Sequence, residues 1–233
     1  MKKTNKEKAF RYERKFVVEG MYNRELESMI KLHPAHFREI FHERIVNNIY
    51  FDTTQFKYYR ENVDGNASRV KVRIRWYGDL FGQVEKPVLE YKIKSALMGR
   101  KESFKLAPFQ LDQGFSMRAI KEMVQTSDIP EEIKVHFYHL QPVLLNRYSR
   151  KYYLSADQNY RITIDQGLEY YSIRPNNNFF ISKFKDPPAT IVELKYASDV
   201  DNGANELSTL FPFRMTKSSK YVNGVDRFFG STI

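Results

Sequence analysis

The chain of 233 residues contains no cysteine. Disulfides and thiolate metal sites are therefore excluded, and the composition fits a reducing compartment. No apolar run approaches the roughly 20 residues needed to cross a bilayer as a helix. The opening MKKTNKEKAF has no apolar stretch behind its lysines to act as a signal peptide. There is no internal repeat, no low-complexity tract and no long Ser, Gly or Pro linker. These absences lead to an expectation of one soluble, cytoplasmic domain spanning residues 1–233.

Acidic residues are the minority charge, 28 against 38 Lys and Arg, for a formal net charge of +10. With 28% charged and 42% hydrophobic residues, the balance is that of a folded protein rather than a disordered one. The excess belongs to a folded surface or cavity, whose natural partner is an anion: nucleic acid, a phosphate compound or an acidic membrane.

Strand-like alternation recurs at Phe10 to Val18, Asn47 to Thr53, Arg69 to Tyr77, Val88 to Lys94, Leu145 to Leu154, Tyr160 to Asp165 and Ile191 to Tyr196. Helical spacing appears at Asn23 to Leu32, from Pro34 through Phe41, at Ser116 to Val124, Glu131 to Leu140, Asn205 to Leu210 and Val225 to Phe229. Turn chemistry concentrates at Asp64-Gly65-Asn66 and between Arg174 and Pro188. The order predicts an α+β protein built on a large antiparallel sheet or closed barrel, with helices packed outside.

The stretch RVKVRIRW places Arg69, Lys71, Arg73 and Arg75 on one face and Val70, Val72, Ile74 and Trp76 on the other. Neighbouring like charges about 7 Å apart repel by about 0.6 kcal/mol in water and about 2.4 kcal/mol at an effective dielectric of 20. Only an enclosed setting therefore demands a multivalent anion or interleaved carboxylates. Four further strands repeat the code: Glu90, Lys92 and Lys94; Glu193 and Lys195; Arg161, Thr163 and Asp165; and Arg11, Glu13 and Lys15, with Arg14 interrupting the apolar side. If helices cover the apolar faces from outside, the charged faces turn inward. A barrel of about eight strands then encloses a polar tunnel. The carboxylates Glu13, Glu90, Asp165 and Glu193 introduce hard oxygen ligands suited to Mg²⁺ or Mn²⁺.

Taken in order, RYERKF, NIYFDT, RVKVRIRWY, LEYKIK, GRKES, RITID, VELKY and KSSKY resemble the catalytic domain of the vacuolar transporter chaperone (VTC) polyphosphate polymerases. These belong to the triphosphate tunnel metalloenzymes, also called CYTH-like proteins. The resemblance runs from about Phe10 to Tyr221. It implies an antiparallel β-tunnel in which basic side chains hold a triphosphate or polyphosphate chain and glutamates hold the metal. By position it implies catalytic roles for Lys15, Arg73, Arg75 and Lys220. Phosphate contacts fall to Lys92 or Lys94, Arg147, Arg161, Lys217 and Ser219; the charged stretches themselves add Arg69, Lys71, Lys101 and Lys195, with Arg69 and Lys71 guiding the anion in. Metal ligation falls to Glu193, Glu13 and Glu90. The superfamily's first strand reads ExExK, whereas this chain has Arg11, Glu13 and Lys15; the departure favours the VTC branch over the classical triphosphatases.

The activity so implied is transfer of the terminal phosphate of ATP onto inorganic polyphosphate, assisted by Mn²⁺ or Mg²⁺. Water as acceptor in the same tunnel would make a tripolyphosphatase or nucleoside triphosphatase, and a non-catalytic binder of polyphosphate or RNA is the rival from another class. Nucleic acid is disfavoured, because it asks for an open basic surface. Glu90 and Glu193 also admit a plainer role, neutralising lysines of the same sheet, and Asp165 reads as structural. His136 and His139, three apart on a helix without a third ligand, read as an ordinary helix face. Most of the 16 Tyr and 18 Phe occupy packing positions.

Overall fold

The computed structural model describes residues 11–95, 98–185 and 189–230. Phe10 and the turn expected at Asp186-Pro187-Pro188 lie outside these. The elements run β1 (Arg11–Val18), α1 (Asn23–Lys31), β2 (Arg38–Asp52), α2 (Lys57–Val63), β3 (Ser68–Tyr77), β4 (Gly82–Val84), β5 (Val88–Ser95), β6 (Met98–Lys105) and β7 (Phe109–Leu111). They continue with α3 (Met117–Thr126), α4 (Glu131–Tyr138), β8 (Gln141–Leu154), β9 (Tyr160–Tyr171), β10 (Lys183–Lys185), β11 (Thr190–Ala197), a 3₁₀ turn (Ser198–Val200), α5 (Asp201–Thr209) and α6 (Lys220–Phe229).

Nine strands form one sheet in the order β1-β11-β9-β8-β2-β3-β5-β6, with β10 added on β9, while β4 and β7 make a separate ribbon. The α+β class and the large antiparallel sheet are as the sequence predicts. Among the described residues the ladder runs from β1 to β6 and is not hydrogen-bonded into a closed ring.

By internal contacts the chain divides into two compact units. One takes the described residues within Met1–Glu43, Arg150–Gln166 and Pro187–Ser218; the other those within Arg44–Ser149, Gly167–Asp186 and Ser219–Ile233. In the first, Phe16, Ile162, Ile164, Val192 and Leu194 pack beneath Leu26 and Ile30 of α1 and Leu207 of α5. Arg14, which interrupts the apolar side of β1, is absorbed by α5: it donates to Asn205 Oδ1 (2.7 Å) and Ser208 Oγ (2.8 Å) and pairs with Asp201 (3.2 Å). In the second unit, Val72, Ile74, Trp76, Leu89 and Tyr91 pack with Ile120, Met123, Val124 and Phe137 of α3 and α4. Ser116 caps α3 by accepting from Ala119 N.

The helix expected from Pro34 through Phe41 is absent. A turn occupies this point, His36 takes a left-handed φ of 49°, and β2 begins at Arg38. Phe37 is buried in the first unit's core instead. Helix α2 went unread because its cap lies outside it. Asp52, at the end of β2, accepts from the backbone N–H of Tyr58 (2.9 Å) and Tyr59 (2.8 Å) and from the Tyr221 hydroxyl of α6. Gly99, Arg100 and Lys101 belong to β6.

Candidate functional site

In the second unit, strand pairing converts the alternation of β3 into cross-strand rows. Lys71 stands opposite Lys92, which stands opposite Lys101; Arg69 faces Lys94; Arg73 is flanked by Tyr50 and Glu90, and Arg75 by Asn48. Three lysines in one row are mutually repulsive, so this face is arranged for negative charge.

Glu90 supplies some of that charge. Its carboxylate meets Arg73 Nη2 at 2.6 Å, Arg75 Nη1 at 3.8 Å and the Lys101 ammonium. Burial raises its pKa, but Arg73, Arg75 and Lys101 more than reverse this and hold it far below the usual carboxylate range. Burial likewise opposes the charge on Arg73, and Glu90 restores it. Arg75 is the most buried of the four β3 cations. It donates from Nε to Asn48 Oδ1 (2.8 Å) and from Nη2 to the Tyr148 hydroxyl (3.0 Å). Lys71 reaches Ser219 Oγ (2.8 Å), and Lys220 places its ammonium 4.9 Å from the centre of the Tyr148 ring. Ser219 also caps α6 by accepting from Val222 N. Arg69 donates to the carbonyls of Gly65 (3.2 Å) and Asn66 (2.7 Å), closing the turn before its own strand. Arg147 alternates with Asn146 and Tyr148 along β8 and interacts electrostatically with Glu169, so it is not brought to the Arg75 face.

The first unit carries a second constellation. Lys15 stands between Glu13, on its own strand, and Glu193, its partner on β11. Its ammonium lies 3.1 Å from Glu13 Oε1 and 3.4 Å from Glu193 Oε1, and it donates to the Ser218 carbonyl (3.0 Å). Lys195 repeats the bridge, at 2.8 Å to Glu193 Oε2 and 3.9 Å to Glu13 Oε2. Two carboxylates are thus joined by two ammonium groups. Burial lowers the Lys15 pKa, and Glu193 and Glu13 more than offset this, keeping it protonated. Arg150 adds a contact of 3.6 Å to Glu193 and clasps Asp165 through both Nε and Nη2. Asp165, fully buried, is a structural counter-ion as expected. Arg161 and Lys217 are exposed.

Arg150, Asn48, Asn146, Tyr50 and Tyr148 carry no sequence signal of this role. Strand β8 has cations on both faces, Arg147 and Lys151 against Arg150, and only its pairing shows which face matters. The histidines follow the plain reading: the ring nitrogens of His136 meet the hydroxyls of Tyr58 (2.7 Å) and Tyr91 (3.1 Å).

Among the described residues no group of three or more His, Cys, Asp or Glu is placed to hold a metal ion. Glu13 and Glu193 nevertheless fit a hard divalent cation, which binds through one or two carboxylates plus substrate phosphates and water. Glu90, like Glu193, lies against three cations.

The chain belongs to the VTC domain family, whose model matches residues 10–229. Its fold is shared with solved structures of low sequence identity. A solved structure named as a "putative adenylate cyclase" from Vibrio parahaemolyticus aligns with TM-score 0.53 and 12% identity, covering 92% of this chain and 98% of that one. A second adenylyl cyclase so named, from Hippeastrum and described as having a dominant triphosphatase activity, aligns with TM-score 0.53 and 13% identity over 90% and 92% of the two chains. No curated protein sequence matches the chain.

Proposed function

We propose that this protein is a metal-dependent phosphotransferase of the polyphosphate polymerase type. It passes the terminal phosphate of ATP to inorganic polyphosphate along the polar face of a closed β-tunnel, acting as one domain over residues 1–233 in the cytoplasm. The observation that carries this reading is the in-register row Lys71, Lys92 and Lys101 beside Arg73, Glu90 and Arg75. Such a ladder matches a run of phosphates better than a single carboxylate, and the VTC family gives it a context. Among the described residues no helix is long and apolar enough to cross a membrane.

Phosphoryl transfer asks the protein for position and charge rather than covalent chemistry. Arg75, locked by Asn48 and Tyr148, serves as the fixed donor to the transferred group. Arg73 and Lys15 neutralise charge that develops on its oxygens, and Lys220 holds the leaving side. Lys71, Lys92, Lys94, Lys101, Arg161, Lys195, Lys217 and Ser219 guide the chain. Glu193 and Glu13 would hold Mn²⁺ or Mg²⁺, which would supply Lewis-acid stabilisation of negative charge. A phosphate oxygen is the acceptor, so no nucleophilic side chain is needed.

Water as acceptor is the second reading, favoured by the triphosphatase activity described for the Hippeastrum neighbour. Incubating the purified protein with ATP and Mn²⁺ separates the two. Long-chain polyphosphate on a gel supports the polymerase; orthophosphate as the sole product would overturn it.

A further inference from the structure

A buried side chain that neither the family reading nor the sequence singles out points into the Arg75 group. Asn146, on β8, is 0% exposed, as is Asn48 on β2. The orientation of both amides is fixed by elimination. Arginine can only donate, so the Asn48 atom that meets Arg75 Nε at 2.8 Å is its oxygen. The Asn48 nitrogen therefore faces Asn146 and donates to its Oδ1 at 2.8 Å. That leaves Asn146 Nδ2 as the end of the chain, and among the described residues it has no hydrogen-bond partner. Buried amide groups without partners are rare, because desolvation without a new bond is unfavourable. An acceptor has to come from outside the chain.

The surroundings say which kind. Tyr148, two residues along the same strand and so on the same face, accepts from Arg75 and lies under the Lys220 ammonium. The group Asn48, Arg75, Asn146, Tyr148 and Lys220 contains two cations, and the carboxylate beside it is Glu90, 3.8 Å from Arg75 Nη1. Positive potential at a buried donor selects an anionic oxygen over a neutral one. Glu90 is shared by Arg73, Arg75 and Lys101, so positive charge outweighs it here, and the Asn146 amide is uncommitted.

We propose that Asn146 is a substrate-binding donor: its Nδ2–H bonds a phosphoryl oxygen of the bound triphosphate, next to the oxygen held by Arg75. This rests on the proposed triphosphate-binding function and assigns that site a neutral donor that orients the group without adding charge.

The test uses the full chain with tripolyphosphate as probe, followed by calorimetry and by the side-chain amide resonances of protein labelled with ¹⁵N-asparagine. Asn146→Asp keeps the acceptor for Asn48 and replaces only the donor. Asn146→Leu is neutral, of similar size, and lacks the donor. The Asp variant should bind tripolyphosphate about 100-fold more weakly and the Leu variant about tenfold. In the wild type, the Asn146 amide resonance, assigned through its contact with Asn48, should move downfield at saturation. If the wild type does not bind tripolyphosphate at all, the underlying functional reading fails. If it binds but the resonance stays in place, the donor meets an internal water and the inference is overturned, whether or not the variants fold. Affinity within twofold of wild type in a folded Leu variant overturns it too.

Discussion

Glu90 illustrates how one side chain couples stability to the cations of β3 and β6. Its charge is compensated by Arg73, Arg75 and Lys101, so removing it leaves three cations facing each other. Glu90→Gln should destabilise the fold by about 3 kcal/mol, the usual consequence of breaking a buried ion pair. The pKa is depressed in the folded state, so this stabilisation is fully present above the unfolded carboxyl value and is lost as pH falls below it toward the folded value. Urea unfolding at about pH 6 and about pH 3 tests this: the gap between wild type and Glu90→Gln should narrow in acid, and an equal gap at both would contradict the assignment. Glu193→Gln probes the other constellation. Metal-dependent turnover should fall at least about 100-fold while tripolyphosphate without metal binds unimpaired; unchanged turnover would remove Glu193 from the metal's ligands. The cations and carboxylates of the alternating strands were legible as a set because period-two patterning needs no tertiary information. Arg150, Asn48 and Asn146 were not, since their role is set by which strand lies alongside.

At the scale of elements, the second unit is tied together by Asp52. One carboxylate holds the first turn of α2 and the Tyr221 hydroxyl of α6, and α6 begins at Ser219 and Lys220, which reach Lys71 and Tyr148. Asp52→Ala should cost about 2–4 kcal/mol, combining a lost cap with a buried hydroxyl left without its acceptor. Denaturant midpoints measure this, and a change below about 0.5 kcal/mol, the range of an ordinary surface substitution, would show that α2 holds without it. The same arrangement explains what the sequence concealed. A helix capped from a residue ahead of its own N-terminus has no local start signal, and Phe56 at its N-cap adopts a left-handed φ of 54°. Strand β6 was hidden because its partners give it meaning: Gly99 and Arg100 resemble a hairpin tip until Lys101 is seen opposite Lys92.

For the whole molecule, the net charge of +10 is distributed so that much of it is sheltered and interleaved with carboxylates. Tripolyphosphate should therefore stabilise the protein far more than RNA of equal charge does. At 100 times its dissociation constant a ligand adds about 2.7 kcal/mol, a rise of about 5–10 °C in melting temperature for a chain of this size. Thermal unfolding at matched ionic strength decides, and equal shifts with a short RNA of the same charge would favour an open basic surface.

Strand β3 has no idle side. Its even residues Val72, Ile74 and Trp76 are sealed in the core, and its odd residues are committed to carboxylates, hydroxyls and carbonyls. A slip of one residue during folding would drive Arg73 and Arg75 into oil and turn Ile74 and Trp76 toward the Glu90 carboxylate and its cations. The strand thus proofreads its own alignment from both faces: wherever its cations meet their partners, it has also been forced into frame.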